Sequence, residues 1–263
     1  MEHIHEASFP GPEFEIAVVI TGIIAITLYY LAFAKLSSWP VYRFLLFVAG
    51  ILATVTSLAG PLAGGAHESF TLHMVVHLLL GMLSPLLMVL SRPLKLMMKS
   101  LPVLKARRLS AFMRESSYIR FLHLPVTGAV LNIGGLYLLY MTGLFHQMHS
   151  SLILFILVHL HVFFAGYLFT HVILEMDFIL HRYSFYHRAA VLILTLAGHK
   201  ILSKIIYANP PEGISRTAGE SGAMLMYYGG DVIDLLLIIF LCYQWYLDRQ
   251  RLYAISTRPS HSL

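Results

Sequence analysis

The chain carries 15 histidines against 13 acidic residues, and several of the histidines are spaced as metal ligands are. His73 and His77, in the run LHMVVH, lie four apart. On a helix that is one turn, so both imidazoles share a face and can approach one ion. His159 and His161 lie two apart and project to opposite faces. One of them at most serves the same centre, and the other is expected to hydrogen-bond a neighbouring helix. His199, Asp231 and Asp234 complete the candidate set. Imidazole suits copper and zinc, and thioether ligands shift the preference toward Cu(I). Met74 and Met82 flank the histidine pair, with Met141, Met148, Met224 and Met226 further along. Two chemistries fit: copper held labile enough to be passed on, or a zinc hydrolase in which Asp231 or Asp234 activates a zinc-bound water. The competing reading is structural. The histidines would tie helices together or relay protons, the methionines would pack, and Asp231 would cap a helix N-terminus.

Other residues offer less. Met1-Glu2-His3 has the amine, amide and imidazole order of a square-planar Cu(II) site. Cys242 is the single cysteine, which excludes an intrachain disulfide and a CxxC motif and leaves a packing thiol. Lys200 is placed to pair with an aspartate of the last apolar segment, and Lys204 to reach a headgroup region. A pair of axial histidines would suit a haem. The last segment has no lysine for a retinal Schiff base. No nucleophile elbow, phosphate-cradling loop or nucleotide motif is visible.

The elements that must position these residues follow from composition. The hydrophobic fraction is 58% and the charged fraction 12%, against about 25% charged in soluble domains. A soluble enzyme, a disordered tail and a secreted disulfide scaffold are thereby excluded, and an all-α integral membrane protein is expected. A span needs about 20 mostly apolar residues. Seven stretches qualify, approximately 14–34, 42–60, 72–90, 122–144, 151–174, 185–207 and 230–247, forming one seven-helix bundle over 1–263. The start MEHIHEASFPGPEFE has four acids and no Lys or Arg, the reverse of a signal peptide, so the first span is expected to act as its own insertion signal. The Gly/Pro-punctuated stretch 208–230 reads as an outer loop.

Lysine and arginine are retained in the cytoplasm. Lys35 and Arg43, eight residues from Arg92 to Arg120, Arg182 and Arg188, and Arg249, Arg251 and Arg258 fall on one side, 15 of the 18 basic residues. This places the N-terminus outside and the C-terminus in the cytoplasm. The net charge of +5 therefore reports topology, and no nucleic-acid partner is implied. The basic connection 91–120 interleaves Leu and Met with charge and suits an anionic lipid surface or a solvated anchor. With that orientation His73 lies at the outer interface, His77 one turn deeper, and His159, His161 and His199 roughly 12–15 Å deep. Ionisable residues at such depth are costly and face a bundle interior, a partner or a ligand.

Three runs carry a resemblance: LHMVVHLLLGMLSPLLMVLSRPL (72–94), LVHLHVFFAGYLFTHVILEMD (157–177) followed by Arg182, Arg188 and His199, and MYYGGDVIDLLLIIFLCYQWYLD (226–248). Together they resemble the multi-span bacterial cytochrome c oxidase assembly factor CtaG family. The resemblance implies a multi-pass bacterial plasma-membrane protein needed to mature a haem–copper oxidase. Its proposed role is copper supply to the subunit carrying the haem–copper centre. It points to His73, His77, His159, His161, His199 and Asp231. An unrelated single-span copper chaperone of the same name uses a cysteine pair that this chain lacks. The expected function is therefore a non-enzymatic, copper-handling assembly factor in contact with lipid and able to self-associate, with the zinc hydrolase and a non-metal scaffold or transporter as alternatives.

Overall fold

The computed structural model describes residues 11–256 of the 263, with side chains to Gln250; Met1-Glu2-His3 lies outside them. Among the described residues every element is helical: α1 (Pro12–Ala34), α2 (Val41–Leu58), α3 (Pro61–Glu68), α4 (Phe70–Leu78), a π-turn (Leu79–Leu83), α5 (Ser84–Ser91), α6 (Pro93–Ser100), α7 (Val103–Glu115), α8 (Ser117–Leu122), α9 (Pro125–Met141), α10 (Leu144–Met148), α11 (Leu152–Leu174), α12 (Phe185–Ala208) and α13 (Arg216–Ser256). Six of the continuous helical runs are long and apolar enough to cross a membrane, the run from α4 to α6 counting as one. The protein is thus a multi-pass membrane protein. The fourth expected span, 122–144, corresponds to α9, which is apolar but 17 residues long.

Local sequence explains the boundaries. Ser69, Ser116, Ser151 and Ser184 cap α4, α8, α11 and α12, each hydroxyl accepting a backbone N–H three residues on. Proline opens α1, α3, α6 and α9, where its missing N–H is not needed. The break between α5 and α6 falls on Arg92, which adopts a left-handed conformation (φ 57°) directly before Pro93.

The run from α4 to α6 is the centre of the bundle. Its most apolar stretch is 61% buried, against 11% for α1 at the edge. Helix α4 packs on α13, α13 on α12, α12 on α9 and α9 on α11; α11 closes the ring on the π-turn and α5. Helices α1 and α2 flank α5 and α6.

The seventh expected span begins earlier than the sequence suggests. Helix α13 runs 41 residues from Arg216, so most of the stretch expected as a loop is helical. The glycines that looked like turn signals are packing positions instead. A side chain at Gly222 would meet Phe70, and one at Gly229 would meet Leu78, as small residues at close helix crossings do. Asp231 and Asp234 consequently lie inside α13, well past its first turn, and neither caps a helix.

Candidate metal centre

Midway along the bundle, His77 of α4 and His199 of α12 face each other with ring centroids 6.0 Å apart and planes 25° from parallel. Both are buried, and the Nε2 of each has no hydrogen-bond partner. Asp234 of α13 is buried too, with its Oδ2 unpartnered. The three border one cavity of about 20 Å³, with Met82, Asn132, Thr170 and Thr195 also on its wall. That is room for a single water molecule or ion. Buried polar atoms are nearly always satisfied, so three bare ones around one small void mark a place built for a guest. Two neutral imidazoles, a carboxylate and a nearby thioether form a donor set that copper or zinc accepts.

Backbone features make the room. A Cβ on Gly230 would stand 2.8 Å from His199 Cε1, so only glycine lets α13 come this close to the ring. Gly81 and Met82, in the π-turn, border the same cavity. Such turns recur at functional sites because they re-aim the side chains around them.

A second group lies toward α3 and α10. His73 Nε2 is 3.1 Å from the Tyr140 hydroxyl, which also contacts Met74 Sδ at 3.8 Å. The Tyr140 ring stands edge-on to both members of the HxxxH pair, 6.1 Å from His73 and 6.3 Å from His77. His149 lies 6.2 Å from His73 and 5.5 Å from His67, ring to ring. His149 Nδ1 donates to the Phe145 carbonyl, and His159 Nδ1 to the Phe155 carbonyl, each at 2.8 Å. In the neutral ring that leaves Nε2 with the lone pair, the tautomer a metal needs. Burial and the neighbouring His149 hold the His67 imidazole below its ordinary pKa.

Two candidates are engaged elsewhere. His161 Nε2 donates to the Leu131 carbonyl of α9 at 3.1 Å, seated over Gly135, where a Cβ would stand 2.2 Å from it. It ties α11 to α9, the role expected of one member of the 159/161 pair. Asp231 Oδ1 accepts from Lys200 Nζ, and Lys200 sits over the Tyr227 ring at 4.5 Å. His159 is buried against Phe155 and borders an apolar groove between α1, α2 and α11, away from the His77–His199 pair. The sequence candidates thus divide: His77, His199 and Asp234 share a cavity, Asp231 pairs with Lys200 beside it, His73 contacts Tyr140, and His159 and His161 belong to other surroundings. Among the described residues no three His, Cys, Asp or Glu side chains are already gathered as a metal-binding group. Met74, Met148 and Met226 are buried in the apolar core, which is the packing role.

Sequence reasoning left His67, His149 and Tyr140 unassigned. The histidines lie in short connections whose folding back was not legible, and a lone tyrosine in an apolar span carries no signal of its own.

At the opposite, basic end, the acidic residues of the LEMD run are structural. Asp177 is buried and accepts the backbone N–H groups of Leu94 (2.9 Å) and Lys95 (2.6 Å), closing the first turn of α6. Burial raises its pKa to about 6 despite those bonds. Glu175, left-handed at φ 46°, accepts from Tyr183 N at 2.7 Å. Arg188 donates to the Ile173 carbonyl at 2.7 Å and lies 3.9 Å from Glu175.

A family profile described as cytochrome c oxidase caa3 assembly factor (Caa3_CtaG) matches residues 27–248. The chain belongs to this family. The match covers five of the six long apolar helices but for the last residues of α13, the final third of α1, and every member of the candidate centre. Among curated proteins the chain is 32% identical over 181 residues to the uncharacterized protein Mb0105 of Mycobacterium bovis and to the uncharacterized protein MT0111 of Mycobacterium tuberculosis, covering 62% of this chain and 26% of each. The uncharacterized protein ML1998 of Mycobacterium leprae is 30% identical over 154 residues, 54% of this chain and 22% of that protein. The chain thus spans about a quarter of the length of the curated relatives it matches. No solved structure matches it.

Proposed function

We propose that this Caa3_CtaG protein carries copper to the oxidase subunit that houses the haem–copper centre, with copper as cargo held at His77, His199 and Asp234. The observation that carries the reading is the set of three buried, unpartnered polar atoms around a one-ion cavity. The imidazoles bind the ion, and Asp234 orients it or balances its charge. His73, Tyr140, His149 and His67 line the approach from the α3/α10 end. Cargo must leave as well as enter, and a site with few ligands, one of them a carboxylate, releases more readily than a closed four-ligand site.

The same reading has α9 as a seventh span, with the α3/α10 end outside a bacterial plasma membrane and the basic end in the cytoplasm. The 17 residues of α9 rise about 25 Å, slightly short of a 30 Å core, and the missing length is made up by local thinning. The exposed apolar surface of α1 and α2 faces lipid or a second copy of the chain. A zinc-dependent hydrolase is the second reading, favoured by Asp234 lying beside two imidazoles across a water-sized void.

The test is metal analysis of the detergent-purified protein after anaerobic Cu(I) loading, beside a His77→Ala/His199→Ala variant. Copper held by the wild type and lost in the variant supports the reading. Equal copper in both overturns it, and zinc in its place turns the search to hydrolysis.

A further inference from the structure

A second pair of imidazoles is set up at the basic end, some distance along the chain from every residue of the candidate centre. His171, near the end of α11, is 4% exposed, and its Nδ1 is buried without a hydrogen-bond partner. His123, in the turn between α8 and α9, is 5.3 Å from His171 ring to ring, at 87°. Its Nδ1 donates to the Ile119 carbonyl at 2.8 Å, so in the neutral ring Nε2 holds the lone pair. The Ile119 carbonyl thus fixes His123 as ligand histidines are fixed, and His171 presents a bare, buried Nδ1 beside it.

The two rings border a cavity of about 10 Å³ whose wall also includes Glu175 and His181. His123, His181 and Tyr183 belong as well to an open groove of about 580 Å³ that leads to the surface past Arg114 and Arg120. Glu175 is already committed to Tyr183 N and Arg188. The nitrogen donors are therefore two in number, with His181 on the same cavity wall as a third.

We propose that His123 and His171 bind a monovalent copper ion, Cu(I), at a site distinct from the His77–His199 centre. Zinc seeks four ligands in a tetrahedron, whereas Cu(I) is content with two imidazoles in a near-linear arrangement. The guanidinium groups of Arg114 and Arg120 along the groove oppose a dication more than a monocation. The proposal does not require the His77–His199 centre to bind copper.

The experiment is anaerobic titration of the purified full chain with Cu(I) against a chromophoric Cu(I) chelator. Four proteins are compared: wild type, His123→Ala/His171→Ala, His77→Ala/His199→Ala and the fourfold variant. With both sites real, the wild type holds two equivalents, each double variant one and the fourfold variant none. If the proposed function fails and this site stands, the wild type holds one equivalent, lost only with His123 and His171. Copper bound in this way gives the X-ray absorption edge of two-coordinate Cu(I). Should the double variant fail to fold, the half-buried His123→Ala alone is expected to weaken one equivalent at least about tenfold. A folded His123→Ala/His171→Ala protein with wild-type stoichiometry, a His123→Ala protein with wild-type affinity, or a site that takes Zn(II) and not Cu(I) overturns the proposal.

Discussion

His77 and His199 come from separate spans, stack at 6.0 Å and each present a bare Nε2, while Asp234 adds a bare Oδ2 to the same cavity. This arrangement separates the two aspartates of α13 by function. Asp234→Asn is expected to weaken copper retention by roughly 10- to 100-fold, the usual cost of losing a group that orients or supports a metal. Asp231→Asn breaks the Lys200 pair, whose members are each about a third exposed, and removes a charge near His199 and Asp234 without removing a cavity-lining donor; it is expected to leave affinity within about threefold. Chelator competition on both variants makes the comparison; equal losses would assign the aspartates a shared role.

Glycine substitutions distinguish the two close approaches. In Gly135→Ala the new methyl displaces His161 from Leu131. The expected cost is about 1–3 kcal/mol of stability, with copper stoichiometry unchanged. In Gly230→Ala the methyl presses on His199, so both stability and copper affinity fall. Thermal unfolding beside metal analysis reads both, and copper loss in Gly135→Ala would return His161 to the metal site.

Tyr140 joins the two histidine groups. Removing its hydroxyl in Tyr140→Phe takes a partner from His73 Nε2, at a cost of about 1–2 kcal/mol. If copper passes along this route, the rate of loading slows while the final stoichiometry stays the same. Stopped-flow loading measures it, and an unchanged rate would place entry elsewhere.

Asp177 gives a pH signature at the basic end. Its pKa is raised from 3.8 to about 6 in the folded protein, with burial as the main cause. Between those values the folded state holds more protons than the unfolded, so stability falls as pH rises. The contribution is fully present below about 4 and lost through about 6, an effect of up to roughly 3 kcal/mol at 1.36 per pKa unit. Asp177→Asn keeps one acceptor for the α6 amides and cannot ionise. Its melting temperature is expected to be flatter than wild type between pH 4 and 6, and parallel curves would refute the assignment.

How much of this was legible in the sequence depended on periodicity. Apolar runs marked the six long helices and α9 to within a few residues, except where glycine misled. Gly219, Gly222, Gly229 and Gly230 read as loop punctuation because a single chain does not show the helix that packs against them. The HxxxH spacing put His73 and His77 on one face, yet it could not show that Tyr140, some 60 residues away in the chain, would stand edge-on to both. His199 and Asp234 were found from membrane depth, because buried polar groups in an apolar span need partners. His123 and His171 were passed over because they lie on the charged side, where a histidine raises no such question.

The π-turn at Leu79–Leu83 makes the central span a matter of chain-length arithmetic. It fits one extra residue into a helical turn, and each residue of an α-helix advances the chain by about 100°. Below the turn, Ser84 is anchored to α2 through Thr54 (2.6 Å) and the Gly50 carbonyl (2.8 Å). Above it stand His73 and His77. Deleting a single leucine there would let the turn close to an ordinary α-helical one, with the flanking segments close to their present phase, whereas adding one residue would turn both histidines by about 100° relative to Ser84. The segment has already absorbed its one spare residue, so a shorter version stays in phase and a longer one does not.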